Sequence, residues 1–495
     1  MIGKKDLEAK IFYNFSLDKI VPEDDYYRRF DRLLDLSFLY KDCKGLYGST
    51  GNPSIDPVVF FKILIVGYLE NIIYDRQLAR RIKDSLSIRL FLGYDIDEDT
   101  PWHSTISRTR ARIPLEIYNK VFDHMLRVCI EYNLVEGEHV SIDSTLIKAN
   151  ASLDSLERKR PNYSLTDYRE KTRVLNLPSE SREKSNNDKR GNTTHISKRD
   201  PDSRIARKPG KKTDLYYKDN ISTDSKRGII IHSETVYADI NDSRTLKGMA
   251  EASKERLKKN NIHLKSISAD KAYCIGNALK EIEKLNVEAY IPLVKRTIKK
   301  DVLTIDKFTY NEEDDCYVCP NGKQLPYKDN DGRSRKYRAS YKDCKICRYK
   351  QKCITRNAGR LLYHPVYKEQ YDNLEKRLKT PMAKRASRWR KGVERAFAEL
   401  INNLSVKKVN TLGIENANKK FIMAAFTYNL KKFLKYGYKY VSSSPAALRK
   451  DINKSSEITL ELQYLSLIKH LCFYFKVLIN NLLSATNRNI IAYYY

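Results

Sequence analysis

Near residue 138 the hydrophobic period of this chain changes from that of helices to that of strands, and the order of elements after the change admits few folds. His139-Val-Ser-Ile-Asp-Ser-Thr-Leu-Ile147 alternates, with Val140 and Ile142 on one face and Ser141, Asp143 and Thr145 on the other. Thr213-Asp-Leu-Tyr-Tyr-Lys218 and Gly228-Ile-Ile-Ile-His-Ser-Glu-Thr-Val-Tyr237 read as two further strands joined by a polar turn. A helix from Ser243 to about Lys259, a strand ending at Asp270, a helix over 275–285 and a strand over 287–294 follow. Three consecutive strands suit an antiparallel meander. The later alternation suits parallel strands with crossover helices.

That order predicts an α+β or α/β fold, a ribonuclease-H-like mixed sheet with helices. Residues 1–130 read as an all-α N-terminal domain. The sheet domain is expected over 131–298, a cysteine-rich insertion over 299–360, and the rest of the sheet domain over 361–440. Residues 441–495 read as a helical appendage, amphipathic because Glu461, Lys469, His470 and Lys476 interrupt its apolar run, so no membrane anchor is expected. Within the sheet domain, residues 152–211 lose periodicity and read as a flexible basic insertion.

Charge points to the partner. Lys and Arg number 93 against 62 Asp and Glu, a formal charge of +31. Such an excess suits a polyanion, because each neutralised phosphate releases condensed counterions. The N-terminal helices include Asp56 as an N-cap with Pro57 at the first helical position, and they end in a basic helix carrying Arg108, Arg110 and Arg112. A helix-turn-helix-like reader of double-stranded DNA would use these arginines. A helical bundle with a solvated arginine face has the same pattern. The opening residues lack a secretory core, which leads to the expectation of a cytoplasmic protein.

Three acids stand where metal-assisted phosphodiester chemistry needs them. Two divalent ions gathered by carboxylates can activate one oxygen and stabilise another, and hard oxygen ligands suit Mg²⁺ or Mn²⁺. Asp143 lies inside the first strand, although Asp is depleted from strands. Asp270 ends the fourth. Glu394 lies in Pro381–Leu400, beside a helical stripe of Val393, Phe397, Leu400 and Leu404. Arg388, Arg390 and Lys391 are expected on the DNA-facing side, with Arg395 and Lys271 near them. Glu399 is the rival acid.

Cys316-Tyr-Val-Cys319 and Cys344-Lys-Ile-Cys347 form two hooks with the spacing of a zinc ribbon, and Cys353 is an alternative fourth ligand. A structural Zn²⁺ is expected there, in an insertion too small to build its own core. Cys43, Cys129, Cys274 and Cys472 read as buried thiols.

Seven motifs, in order over roughly residues 45–435, resemble the DDE-type insertion-sequence transposases with a helical N-terminal domain and a cysteine-rich insertion. They are Gly51-Asn-Pro-Ser-Ile-Asp-Pro57, Thr100-Pro-Trp-His-Ser-Thr105, Val140-Ser-Ile-Asp-Ser-Thr145, Asp200-Pro-Asp-Ser-Arg204, Ala238-Asp-Ile-Asn-Asp242, Ala269-Asp-Lys-Ala-Tyr273 and Val393-Glu-Arg-Ala-Phe397. The resemblance implies that Asp143, Asp270 and Glu394 are the catalytic triad. It also implies cleavage at element ends, strand transfer into target DNA, and a homodimer or higher synaptic complex. Ser387 and Ile401 stand where related families place Tyr and Lys, and Trp102 stands where relatives show Asp. A transposase-derived DNA-binding protein without catalysis, or a ribonuclease-H-like nuclease, would share part of this pattern.

Overall fold

The first helix of consequence is buried on every side. Pro57–Leu69 (α1) starts where the Asp56 carboxylate accepts the amides of Val58 (2.7 Å) and Val59 (3.1 Å). Phe60, Phe61, Ile63, Leu64, Ile65 and Val66 are then all buried, so α1 is the axis around which the shorter helices pack. Asp75–Asp84 (α2) and His103–Arg112 (α3) are amphipathic, burying Leu78 and Ile82 in one case and Ile106 in the other. Leu115–Glu131 (α4) closes the bundle with Ile117, Tyr118, Val121, Phe122, Met125 and Leu126. The computed structural model describes residues 16–48, 54–159, 187–208, 210, 212–293, 303–332, 334–353 and 358–437. The expected appendage at 441–495 and Cys472 lie outside the described residues.

The main sheet follows the expected order. Its strands are β1 (His139–Lys148), β2 (Asp214–Asp224), β3 (Ile230–Tyr237), β4 (Ser266–Ser268) and β5 (Glu288–Tyr290). β1 pairs antiparallel with β2, which pairs antiparallel with β3; on its other side β1 pairs parallel with β4, and β4 with β5. The spatial order is therefore 3-2-1-4-5, mixed and ribonuclease-H-like, with β1 at the centre. Asp242–Lys258 (α5) and Gly276–Lys284 (α6) make the crossovers.

Alternation assigns each helix a face. Ser222, in register with Ile142, bonds Ser253 of α5 at 2.8 Å, so α5 covers the Ile142 face. His139, on the Asp143 face, packs its ring 4.6 Å from that of Trp389 in Pro381–Asn403 (α8). Lys368–Leu378 (α7) precedes α8, and Ile414–Tyr436 (α9) follows it. Asn429 of α9 accepts the amide of Ile230 and donates to its carbonyl, both at 2.8 Å, which satisfies an edge of β3 that would otherwise be free to pair.

Two expectations need correction. Within 152–211, residues 187–208 have defined structure. Asn187–Thr194 is helical, His195–Ser197 pairs with Leu156–Arg158, and Arg204–Ala206 joins the main sheet beside β2. Asp200 is buried, accepts the Tyr217 hydroxyl at 2.7 Å and the Gly413 amide at 3.1 Å, while Asp202 accepts the Ile414 amide at 3.0 Å. Both acids thus hold the start of α9, where the helix dipole favours negative charge. Residues 160–186 of that stretch lie outside the described residues.

The insertion, second, does build a core. Five antiparallel strands (Thr309–Asn311, Cys316–Val318, Gln324–Asn330, Ser334–Arg338 and Leu361–Pro365) bury Phe308, Tyr317, Leu325, Tyr337 and Leu362. The last strand lies beyond the expected boundary at residue 360. Edge-on contacts between Tyr317 and Tyr337 (5.1 Å) and between Tyr310 and Tyr337 (5.9 Å) supply what aliphatic volume does not.

Candidate active site

Asp143 sits on the α8 side of β1, where its carboxylate accepts the Ser144 amide at 2.8 Å. Burial pushes its carboxyl up to about 6, against the pull of that bond and of Lys208, and the nearby charges of Asp270 and Asp242 raise it further. Asp270 follows β4 and caps the turn Lys271–Tyr273, accepting the Lys271 amide at 2.7 Å. From α8, Arg390 reaches between the remaining two acids: its Nη1 lies 3.4 Å from Asp270 Oδ1 and 3.8 Å from Glu394 Oε1. At this end of the sheet Asp270 and Glu394 thereby share one guanidinium, and the Asp270 charge reaches Asp143. The stripe that aims Glu394 is buried as read, with Val393, Phe397, Leu400 and Leu404 in the core. Glu399 is engaged elsewhere, bonded by Asn403 at 2.6 Å and paired with Lys431 of α9.

Three further groups belong to this end, and sequence reasoning assigned none of them. Asp242, at the start of α5, accepts the Ser144 hydroxyl at 2.9 Å and the Lys218 ammonium at 2.7 Å. Its motif was noticed; its position against Ser144, one residue from Asp143, was not. Lys208 places its ammonium 3.4 Å from the Ser144 carbonyl, arriving from the stretch read as flexible. Tyr273 is buried, and desolvation with the charges of Asp242, Asp143 and Asp270 holds its phenol well above the usual range. Among the described residues no three Asp, Glu, His or Cys side chains already converge as a metal cage, and Asp270 and Glu394 are held on Arg390. Two carboxylates on one exchangeable guanidinium, with the Asp270 charge acting on Asp143, are nonetheless oxygen donors of the kind a hard divalent cation takes.

Two family models match the sequence: a transposase domain (DUF772) over residues 15–112 and a transposase DDE domain over residues 318–434. Over those residues the chain is similar to the DDE-type transposases. The second match contains Glu394, whereas Asp143 and Asp270 lie outside both. No protein of curated function matches. Among solved structures, the piggyBac transposase synaptic complex with hairpin DNA is 11% identical, with 85% of this chain and 77% of that one covered and a TM-score of 0.32. The Mos1 transposase paired-end complex with the left transposon end is 10% identical over 49% of this chain and 60% of that one, with a TM-score of 0.16. Likenesses this slight decide nothing about chemistry.

The basic residues of the chain divide sharply. Arg388, Lys391 and Arg395 on α8, and Lys271 beside Asp270, are exposed. Arg108 is exposed, and Arg112 is exposed with a 3.2 Å bond to Ser54. Arg110 is not available to DNA: it is buried and grips Asp75 of α2 through bonds of 2.7 and 2.8 Å. That bidentate pair locks α3 to α2, which corrects its reading as a DNA contact. Arg390 likewise faces the acids as a half-buried bridge and not an open surface. Among the described residues, no helix of the chain is long and apolar enough to cross a membrane.

The thiols also regroup. Cys353 is buried in the insertion core with Cys319 and Cys344 packed against that core. Burial raises the Cys353 thiol, Arg360 opposes this, and the charges of Cys344, Cys347 and Cys319 add to the rise. Cys316 is buried outside that cluster, next to Asp314 and Asp315. Backbone amides of Lys323 and Tyr349 donate to the sulfurs of Cys319 (3.3 Å) and Cys347 (3.4 Å). Cys43, Cys129 and Cys274 are buried.

Proposed function

We propose that this protein cleaves DNA at the ends of its element and joins the freed 3′-hydroxyl to target DNA, with Asp143, Asp270 and Glu394 as the ligands of Mg²⁺ or Mn²⁺. One observation carries the reading: a single guanidinium, Arg390, lies within 4 Å of both Asp270 and Glu394, and the Asp270 charge acts on Asp143. Divalent ions bound there supply Lewis-acid polarisation of the phosphate and lower the pKa of a bound water. The chain's own groups do the rest. The buried carboxyl of Asp143 is fixed by the Ser144 amide, and Asp242 fixes Ser144. Arg390 is released from the acids to contact phosphate, and Arg388, Lys391, Arg395 and Lys271 line the approach of double-stranded DNA. Two ends must meet, so a homodimer or larger synaptic assembly is part of the reading.

A structural zinc belongs to the same proposal, with Cys353 replacing Cys316 in the ligand set Cys319, Cys344, Cys347 and Cys353. The rise that Cys344, Cys347 and Cys319 add to the buried Cys353 thiol, and the amide bonds to sulfur, support it, because a metal relieves the first and thiolates favour the second.

The test is a strand-transfer assay with Mg²⁺ and DNA bearing the inverted repeats that flank the coding region. Wild-type protein is expected to cut and join, and Asp143→Ala, Asp270→Ala and Glu394→Ala to bind the same DNA without either reaction. Binding without cutting by the wild type would favour a DNA-binding derivative. Cutting without joining would favour a nuclease.

A further inference from the structure

Helix α2 carries positive charge that the fold does not use. Arg76, Arg80 and Lys83 recur at spacings of four and three, so they form one exposed stripe opposite the buried Leu78 and Ile82. Among the described residues none of the three makes an ion pair, whereas neighbouring cations do: Arg81 pairs with Glu70 at 3.0 Å and Arg110 with Asp75 at 2.7 Å.

Across from the stripe stands Trp102. Its carbonyl accepts the amides of Thr105 (3.0 Å) and Ile106 (3.1 Å) at the start of α3, so its backbone is fixed, yet the residue is 73% exposed. A large aromatic ring kept in water on a rigid turn is an unfilled contact surface. Arg76, Arg80, Lys83, Thr100, Trp102 and His103 line a groove of ≈ 430 Å³, with Asp99 as its acid wall. A space of that size takes a ligand on the scale of one nucleotide.

We propose that this groove holds one unpaired nucleotide of DNA, the base stacked on Trp102 and the flanking phosphates on Arg76, Arg80 and Lys83. A base within a duplex offers the indole only its edge, because both π-faces are covered; an unstacked base offers a full face. Asp99 repels phosphate, which leaves the α2 side for the backbone. The inference rests on the reading that the chain works on DNA, but it concerns a surface on the helical domain that the carboxylate chemistry does not require.

Tryptophan fluorescence tests it directly, since the chain has only Trp102 and Trp389. Full-length Trp389→Phe protein, in which Trp102 alone emits, is titrated at low salt with an oligothymidylate, a blunt duplex of the same length and inorganic polyphosphate. Saturable quenching by the single strand is expected, with roughly tenfold weaker quenching by the other two. Trp102→Ala should weaken single-strand binding about tenfold, and Trp102→Phe should keep most of it. Arg76→Ala/Arg80→Ala/Lys83→Ala should reduce the log–log salt slope by about 2, near 0.7 per lost phosphate contact. Absent quenching, or equal quenching by duplex or polyphosphate, overturns the proposal. If quenching fails while wild-type protein still joins terminal DNA, only the groove falls; if joining fails and quenching persists, the groove stands and the catalytic reading falls.

Discussion

Arg110 and Arg390 each meet carboxylates, and the two regions use the contact in opposite ways. Between α2 and α3, Arg110 is buried and bonds both oxygens of Asp75 at 2.7 and 2.8 Å. At the end of the sheet, Arg390 divides one nitrogen between Asp270 at 3.4 Å and Glu394 at 3.8 Å, acids whose side chains are 45% and 55% exposed. The first pair is closed, with geometry at its optimum, and nothing else can enter it. The second is loose and open to water, so a cation or a phosphate can displace it. Similar residue types make a structural clamp in one place and a replaceable counter-charge in the other; distance and solvent access separate them.

The sharpest way to break that contrast is at the open pair. Asp143→Ala and Glu394→Ala are expected to lower strand joining at least about 10³-fold, since several kcal/mol of transition-state stabilisation at 1.36 kcal/mol per decade is at stake. Melting temperatures should change little for Glu394→Ala, because its side chain is over half exposed. Retained joining by either variant would remove the acid from the site. At the closed pair the loss is one of folding. Arg110→Ala leaves Asp75, whose side chain is only 17% exposed, unpaired and should cost about 3 kcal/mol in denaturant unfolding, whereas Arg108→Ala should stay within about 0.5 kcal/mol. Equal effects at 108 and 110 would mean that Arg110 is not a clamp.

Beside the clamp lies a buried cation without a carboxylate of its own. Lys420 bonds Asn410 at 3.4 Å, and burial, with Arg110 adding to it and Asp75 opposing, depresses its pKa to about 7. The folded state therefore binds its proton less tightly than the unfolded chain, where lysine titrates near 10.4. Stability relative to Lys420→Met should be lowest below pH 7 and should rise through the window from about 7 to 10.4, with a slope of at most about 1.4 kcal/mol per pH unit. Urea unfolding of both proteins at pH 6, 8 and 9.5 measures this. Parallel curves would show that Lys420 keeps its charge inside the fold.

Much of the sheet was legible because backbone topology has few solutions once strands and helices are ordered. Asp143 inside β1, Asp270 after β4 and Glu394 beside the stripe of α8 all stand at the positions read from periodicity. The second half of β2 was not legible. Asp219, Asn220, Ser222, Thr223 and Asp224 look like a turn, yet all are buried. Three of them find partners distant in sequence: Asp224 accepts the Gly137 amide at 2.8 Å, Ser222 meets Ser253, and Asn220 meets Thr245 at 3.2 Å. Hydropathy has no record of such partners. Arg110 failed for the same reason, its mate being 35 residues away. In the insertion, spacing favoured Cys316 over Cys353, yet Cys353 is the thiol buried in the tyrosine core, with Cys319 and Cys344 packed against that core.

The smallest expected effect is the most informative about the open pair. Arg390→Ala removes a bridge whose geometry is poor and whose side chain is 28% exposed, so the cost to folding should be below about 1 kcal/mol. The same change frees Asp270 and Glu394 from a positive charge that a divalent ion must otherwise displace. Mn²⁺ binding, measured by isothermal titration in the absence of DNA, should therefore tighten in the variant while strand joining falls, because the guanidinium is no longer there to take the phosphate. Destabilisation of 3 kcal/mol or more, in the range of a broken buried pair, would make Arg390 a second clamp like Arg110. Weakened Mn²⁺ binding would mean that the arginine arranges the acids and does not compete for them.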